Sequence, residues 1–159
     1  MAIYLKYGDD IKGEVTATNY ENFLECTTAS FSGNRPSGIG SGSGQGKRHT
    51  DVASVSDLNI SRAVDSASPL LFKECVSGKE ITAEVHFTKQ DATGQVTWCK
   101  LDLTDCLITS YSFNGESSGG SESLTISFVT ITMTETKTDA EGAETPVIGS
   151  FSLATGKPV

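Results

Sequence analysis

Residues Ser123 to Glu135 alternate apolar and polar positions, the pattern of a strand with one covered face. Leu124, Ile126 and Phe128 hold even positions; Val129, Ile131 and Met133 then hold odd ones. Side chains of a strand alternate between its faces, so a one-residue change of parity carries the apolar side to the opposite face. As one strand at about 3.3 Å per residue, the segment spans roughly 43 Å, longer than most strands of small domains. Its first half is expected inside its own core. Its second half is expected against the helix or another copy of the chain. The pattern points first to assembly.

The rest of the chain reads mostly as short strands. Ile3, Leu5 and Tyr7 alternate with Tyr4 and Lys6, Gly8-Asp9-Asp10 is a turn, and Ile11 to Thr16 returns as a short second strand. Another strand is expected over Phe23 to Phe31. Gly33 to Gly46 follows, holding six of the sixteen glycines, with Ser37, Ser41 and Ser43 between them. Nothing in it can build a core, so it reads as a long flexible loop. Val52 to Ile60 is a weakly patterned strand. Asp65-Ser66-Ala67-Ser68-Pro69 supplies helix-start chemistry, Leu71, Phe72, Cys75 and Val76 form a helical stripe, and Gly78 ends it. Ile81, Ala83, Val85 and Phe87 form a further strand, turning over Lys89 to Gly94. Cys99, Leu101, Leu103 and Leu107 then share one face, with Tyr111 and Phe113 of the same parity. Asn114 to Ser121 is a second Gly/Ser loop, Thr138 to Thr145 a polar turn, and Val147, Phe151 and Leu153 belong to a last strand. Seven to nine strands and one helix predict a mostly β protein, an antiparallel barrel or sandwich forming a single domain over 1–159.

Composition adds limits. Hydrophobic residues make up 36% of the 159, and the formal charge is −8. An acidic chain lacks the clustered Lys and Arg that nucleic acid or anionic lipid requires. No window approaches a transmembrane helix, so no membrane insertion is expected. The first residues lack the basic and apolar regions of a signal peptide. Cys26, Cys75, Cys99 and Cys106 show no two-residue spacing and read as free thiols of a reducing compartment. Cys99 and Cys106 lie an odd number of positions apart, so on one regular strand they face opposite ways.

No catalytic or metal chemistry assembles from the motifs. Gly46-Lys47 lacks the glycine five places earlier, where Ser41 stands, and Arg48 occupies the magnesium-ligand position of a phosphate loop. A dinucleotide fingerprint from Gly40 and Gly42 would put its third glycine at Gln45. His86 beside Glu84 reads as a solvated polar-face residue. His49 lies near Asp51, and neither histidine has an evident third metal ligand. Gly115-Glu116-Ser117-Ser118-Gly119 has the letters of a nucleophile elbow but leads into a strand, where that elbow needs a helix. No enzyme activity, cofactor or metal is expected. Lys47-Arg48-His49 is a basic cluster in an acidic chain, read either as solvated or as meeting an acidic surface of another copy.

Several segments in order resemble the haemolysin-coregulated protein (Hcp) family, the tube subunits of bacterial type VI secretion systems. Met1-Ala2-Ile3-Tyr4-Leu5-Lys6, running on to Ile11-Lys12-Gly13-Glu14, resembles the family's opening. Asp65 to Leu71, ending in Cys75-Val76-Ser77-Gly78-Lys79, is similar to its single helix. Leu101 to Ser110 and Glu122 to Phe128 resemble the strands flanking its Gly/Ser loop. Pro146-Val147 and Gly156-Lys157-Pro158-Val159 fit its C-terminal end. One departure stands out: many members carry tryptophan around the second strand, whereas Thr27 to Ser32 has Phe31 as its single aromatic.

The resemblance implies a small antiparallel β-barrel with one flanking helix, six copies forming a ring and rings stacking into a tube. A contractile sheath wraps that tube, a spike caps it, and small effector proteins travel in its lumen. It implies a homohexamer made in the bacterial cytoplasm and secreted to the extracellular space or a target cell. The extended loop over 33–50 would contact the next ring, through Gly38, Gly40, Gly42, Gly44, Gly46, Lys47 and Arg48. Ser117, Ser118 and Gly119 would face the lumen, and Val129, Ile131 and Met133 a neighbouring subunit. The rival readings are a tube protein of a phage tail or related injection machine, and a monomeric β-barrel that binds small ligands.

Overall fold

The computed structural model describes residues 1–39, 48–50, 52–92, 94–138 and 144–159. Among these, the strands are β1 Ala2–Tyr7, β2 Leu24–Cys26, β3 Thr28–Ser30, β4 Gly33–Asn34, β5 Ser37–Ile39, β6 Arg48–Thr50, β7 Ser54–Val55 and β8 Leu58–Ala63. The helix α1, Ser68–Ser77, precedes β9 Ile81–Asp91, β10 Gly94–Glu116, β11 Gly119–Ser127, β12 Thr130–Thr138, β13 Glu144–Ser152 and β14 Lys157–Pro158. No helix among the described residues is long and apolar enough to cross a membrane.

All pairings are antiparallel, and β10 is their axis. Its first half is flanked by β9 and β12, and its second half pairs with β11. β1 adds to β9 and β2 to β1; β13 and then β14 add to β12; β8 and then β3 add to β11. Leu107 pairs with Ser127 and Thr104 with Thr130, so β11 and β12 follow the same edge of β10 in continuous register.

This geometry corrects the single straight strand expected over Ser123 to Glu135. The ladder breaks at Phe128 and Val129, where the Val129 N–H donates to the Thr104 carbonyl at 3.0 Å. Opposite it, Asp105 adopts φ 51°, a left-handed conformation that side chains rarely take. Both strands change parity at this one level. Leu103 and Ile131 on one side, and Cys106, Ile108, Ile126 and Phe128 on the other, all enter one core. The parity switch therefore marks a corner in the ladder, not a change of packing partner. It also corrects β10: Cys106 takes the core position assigned to Leu107, and Cys99 and Cys106 are both buried despite their odd spacing. A second irregularity, between Ile108 and Ser110, restores odd parity for Tyr111 and Phe113. The four thiols are free, and burial pushes those of Cys26 and Cys106 up to about 12.

Three other expected strands differ, among them Val52 to Ile60, which divides at Ser56 and Asp57 into β7 and β8. Ile11 to Thr16 forms no strand; with the residues to Phe23 it makes a strap held by Gly13 N–H to the Asn22 carbonyl and Asn22 N–H to the Val15 carbonyl, both 2.8 Å. A Cβ on Gly13 would sit 2.3 Å from the Phe23 carbonyl oxygen, so the close approach needs glycine. Phe23 to Phe31 divides at Thr27 into β2 and β3. The polar turn read at Thr138 to Thr145 lies largely outside the described residues.

The helix lies where the sequence placed it, but its N-cap is Ala67, with no side-chain cap bond, and Asp65 and Ser68 instead close the turn ahead of it. Asp65 Oδ1 accepts from the Ala67 N–H at 2.9 Å, Ser68 Oγ accepts from the Asp65 N–H at 3.1 Å, and Gly78 N–H donates to the Glu74 carbonyl. Its stripe is divided. Leu71 is buried in the core, worth about 1.5–3 kcal/mol, while Phe72 and Val76 stay exposed.

Candidate functional site

The segment expected as a flexible loop is, where described, a paired arm. Gly33–Asn34 pair with Ser54–Val55, and Ser37, Gly38 and Ile39 pair with Thr50, His49 and Arg48. Ser32 and Ser56 lock its base: Ser56 N–H donates to the Ser32 carbonyl at 2.8 Å, and Ser32 N–H to Ser56 Oγ at 2.9 Å. Small residues permit this narrow ladder but do not advertise it, because its pairs are too short to show an alternation. Gly38 and Arg48 lie in the ladder. Gly40, Gly42, Gly44, Gly46 and Lys47 lie outside the described residues.

At the far end of the β10–β11 ladder, Ser117 and Ser118 form a tight turn between Glu116 and Gly119, and Gly119 adopts φ 142°. The loop expected over Asn114 to Ser121 is thus a two-residue hairpin end. Below it lies a buried ionic cluster that the sequence reading missed. Arg62 on β8 donates to Glu122 on β11 and to Asp65 ahead of α1, and its Nε reaches the Glu25 carbonyl on β2 at 3.3 Å. Tyr111 donates to the second Glu122 oxygen at 2.7 Å. Burial disfavours the Arg62 charge, but the hydrogen bonds to Asp65 and Glu122 outweigh it and raise the pKa above its ordinary value. Burial first, then the Glu122 carboxylate, pushes Tyr111 up to about 12. The cluster ties four elements together, and its own polar groups satisfy it. A signal for it existed: Arg62 and Glu122 share the parity of their strands' apolar positions, Leu58, Ile60, Leu124 and Ile126.

Beside this cluster, Val64, Pro69, Phe72, Tyr111 and Phe113 line an open, largely apolar groove of about 500 Å³. The Phe72 and Tyr111 ring centroids are 5.6 Å apart. A second apolar hollow of about 290 Å³, near the base of the arm, is lined by Phe31, Phe87, Trp98 and Met133 among others. Of the three residues assigned to a neighbouring subunit, Ile131 packs in the subunit's own core, while Val129 and Met133 are exposed.

His86 differs from its reading as solvated. Tyr20 and Phe23 of the strap pack edge-on against its ring at 5.6 and 5.5 Å, and Tyr20 also stacks on Tyr4 at 4.9 Å. His86 Nδ1 lies 3.1 Å from Thr97 Oγ1, and Nε2 3.2 Å from Glu84, which also meets Lys100 at 3.2 Å. Burial pushes the His86 pKa below its ordinary value, and Glu84 opposes that shift. The arrangement clamps the strap to the sheet. Among the described residues, no three His, Cys, Asp or Glu side chains are arranged to hold a metal.

Residues 4–134 match the family described as "Type VI secretion system effector, Hcp". The fold is similar to the crystal structure of Hcp1 from Salmonella typhimurium, with 25% identity, a TM-score of 0.77, and 99% of this chain and 98% of that one covered. Hcp2 from the same organism is 25% identical, with a TM-score of 0.67 and 97% of each chain covered. A further structure, described as a type six secretion system protein, is 22% identical, with a TM-score of 0.86 and 99% of each chain covered. No curated protein sequence matches the chain.

Proposed function

Since this chain belongs to the Hcp family of type VI secretion proteins, we propose that it is a non-enzymatic subunit of the secretion system's inner tube. In this reading the sheets close into a small barrel. β2 and β3, separated by Thr27 alone, carry the chain from the sheet through β1 to the sheet through β8. Six copies form a ring, rings stack, and a sheath and spike act on the resulting tube. Small effectors occupy the lumen near Ser117, Ser118 and Gly119. Val129 and Met133 belong to the contact between subunits. Sheath contraction carries the protein from the bacterial cytoplasm to the exterior or a target cell.

The observation that carries this reading is the family match over most of the chain, joined to full-length likeness in fold. The paired arm supports it further. Two short strand pairs, Gly33–Asn34 with Ser54–Val55 and Ser37–Ile39 with Arg48–Thr50, order the stem of the segment that this reading assigns to the next ring. A hydrogen-bonded stem costs less entropy to order on contact than an unpaired loop of that length.

Mass in solution tests the ring: the expected species is six times the 16.8 kDa subunit. Deleting Ser37 to Gly46 is expected to leave that species intact and to abolish longer stacks in electron micrographs. A strict monomer at high concentration would sink the tube reading. Loss of the ring on deletion would show that the arm acts within a ring instead.

A further inference from the structure

Besides the hollow at the base of the arm, two apolar surfaces among the described residues are left exposed. The first is the groove between α1 and the hairpin end, where Phe72 is 53% exposed and Phe113 59%. The second is the far part of β13, where Val147 is 59% exposed and Ile148 63%. Val147 pairs with Glu135 and Ile148 with Thr134, so these adjacent residues point to opposite faces of the strand. A strand apolar on both faces is covered by a cleft, not by a flat surface. Pro146 removes one backbone donor here, which disfavours edge-to-edge sheet extension and leaves side chains as the means of contact.

The two surfaces cannot meet within one copy. The pairing of Cys99 with Glu135, and of Glu135 with Val147, puts Val147 level with Cys99 on β10. Phe113 lies fourteen positions farther along β10 in sequence, on the order of 40 Å at the usual strand rise. One concave and one projecting apolar surface at opposite ends of a chain make a head-to-tail contact, the type that closes into rings.

We propose that the Val147–Ile148 end of β13 in one copy seats in the Phe72–Phe113 groove of the next. The proposal rests on the ring reading above and names the surfaces that form the ring.

The test uses two variants of the full chain, Phe72→Glu/Phe113→Glu and Val147→Glu/Ile148→Glu, alongside the unaltered protein. Each variant alone is expected to sediment as a monomer while keeping its circular dichroism. Mixed in equal amounts, they are expected to give a dimer, because one intact strand end then meets one intact groove. A variant that still forms rings, or a mixture that stays monomeric, overturns the pairing. Monomeric unaltered protein overturns the ring reading itself, so the two failures are distinct. A second measurement avoids the charged substitutions. In a Cys75→Ser background, Phe113→Cys with Val147→Cys is expected to give an oxidised ladder of linked subunits ending at six, and absence of linkage overturns the contact.

Discussion

Glu122 and Ile148 belong to one run of antiparallel strands, yet the carboxylate is 2% exposed and the isoleucine 63%. Around Glu122, a second layer exists. Arg62 arrives from β8 and Tyr111 from β10, one on each Glu122 oxygen, and Asp65 ahead of α1 holds Arg62 from its other side. Toward Ile148 the β12–β13 hairpin runs past the core, and Met133, Val147 and Ile148 are left uncovered. Alternation along a strand assigns a residue to a face. Whether that face is covered depends on which other element reaches it.

The contrast is sharpest where a partner is removed. Arg62→Ala is expected to cost about 3–5 kcal/mol, because it strands the Glu122 carboxylate in a buried site. Ile148→Ala, measured by denaturant melting of the dissociated subunit, is expected to stay within about 0.5 kcal/mol. Equal costs would erase the distinction between the two regions.

The corner that separates them can be attacked next. Asp105→Val places a β-branched side chain in a left-handed conformation and is expected to cost about 1–2 kcal/mol. Asp105→Gly is expected to be tolerated, and a similar loss in both would move the corner's origin away from the backbone at Asp105.

The smallest expected effect concerns the clamp on the strap, on the sheet's outer side. His86 has a folded pKa below its ordinary 6.5, chiefly through burial. As pH falls below 6.5, the unfolded chain takes up the proton first. The stability contributed by the neutral ring is therefore full above 6.5 and lost as pH falls through the folded value. Melting temperature against pH is expected to decline less steeply below 6.5 for His86→Gln than for the unaltered chain. Identical profiles would assign the acid response to other groups.

Legibility in the sequence followed the length of each pattern. β1, β9 and α1 carry clean alternation or end signals and lie where the sequence indicates. The strap from Ile11 to Phe23 does not, because its backbone pairs within a turn that Gly13, Asn19 and Asn22 make possible. The arm was legible in place and in its glycines, but not as a ladder. The ionic cluster was foreshadowed by charged residues at apolar parity, whereas the grouping of Arg62, Asp65, Glu122 and Tyr111 depended on four segments meeting.

What the sequence determined by itself was a β-rich chain with one helix, an arm between early strands, and a parity change near residue 128. Those features follow from local sterics and from the two-residue repeat of a strand. The tertiary structure alone decided what the parity change means. Because β10 changes parity at the same level as its partner strand, Phe128 and Ile131 both turn toward one core. A single strand cannot reveal this, since the direction of its faces after a corner is set by the strand paired beside it.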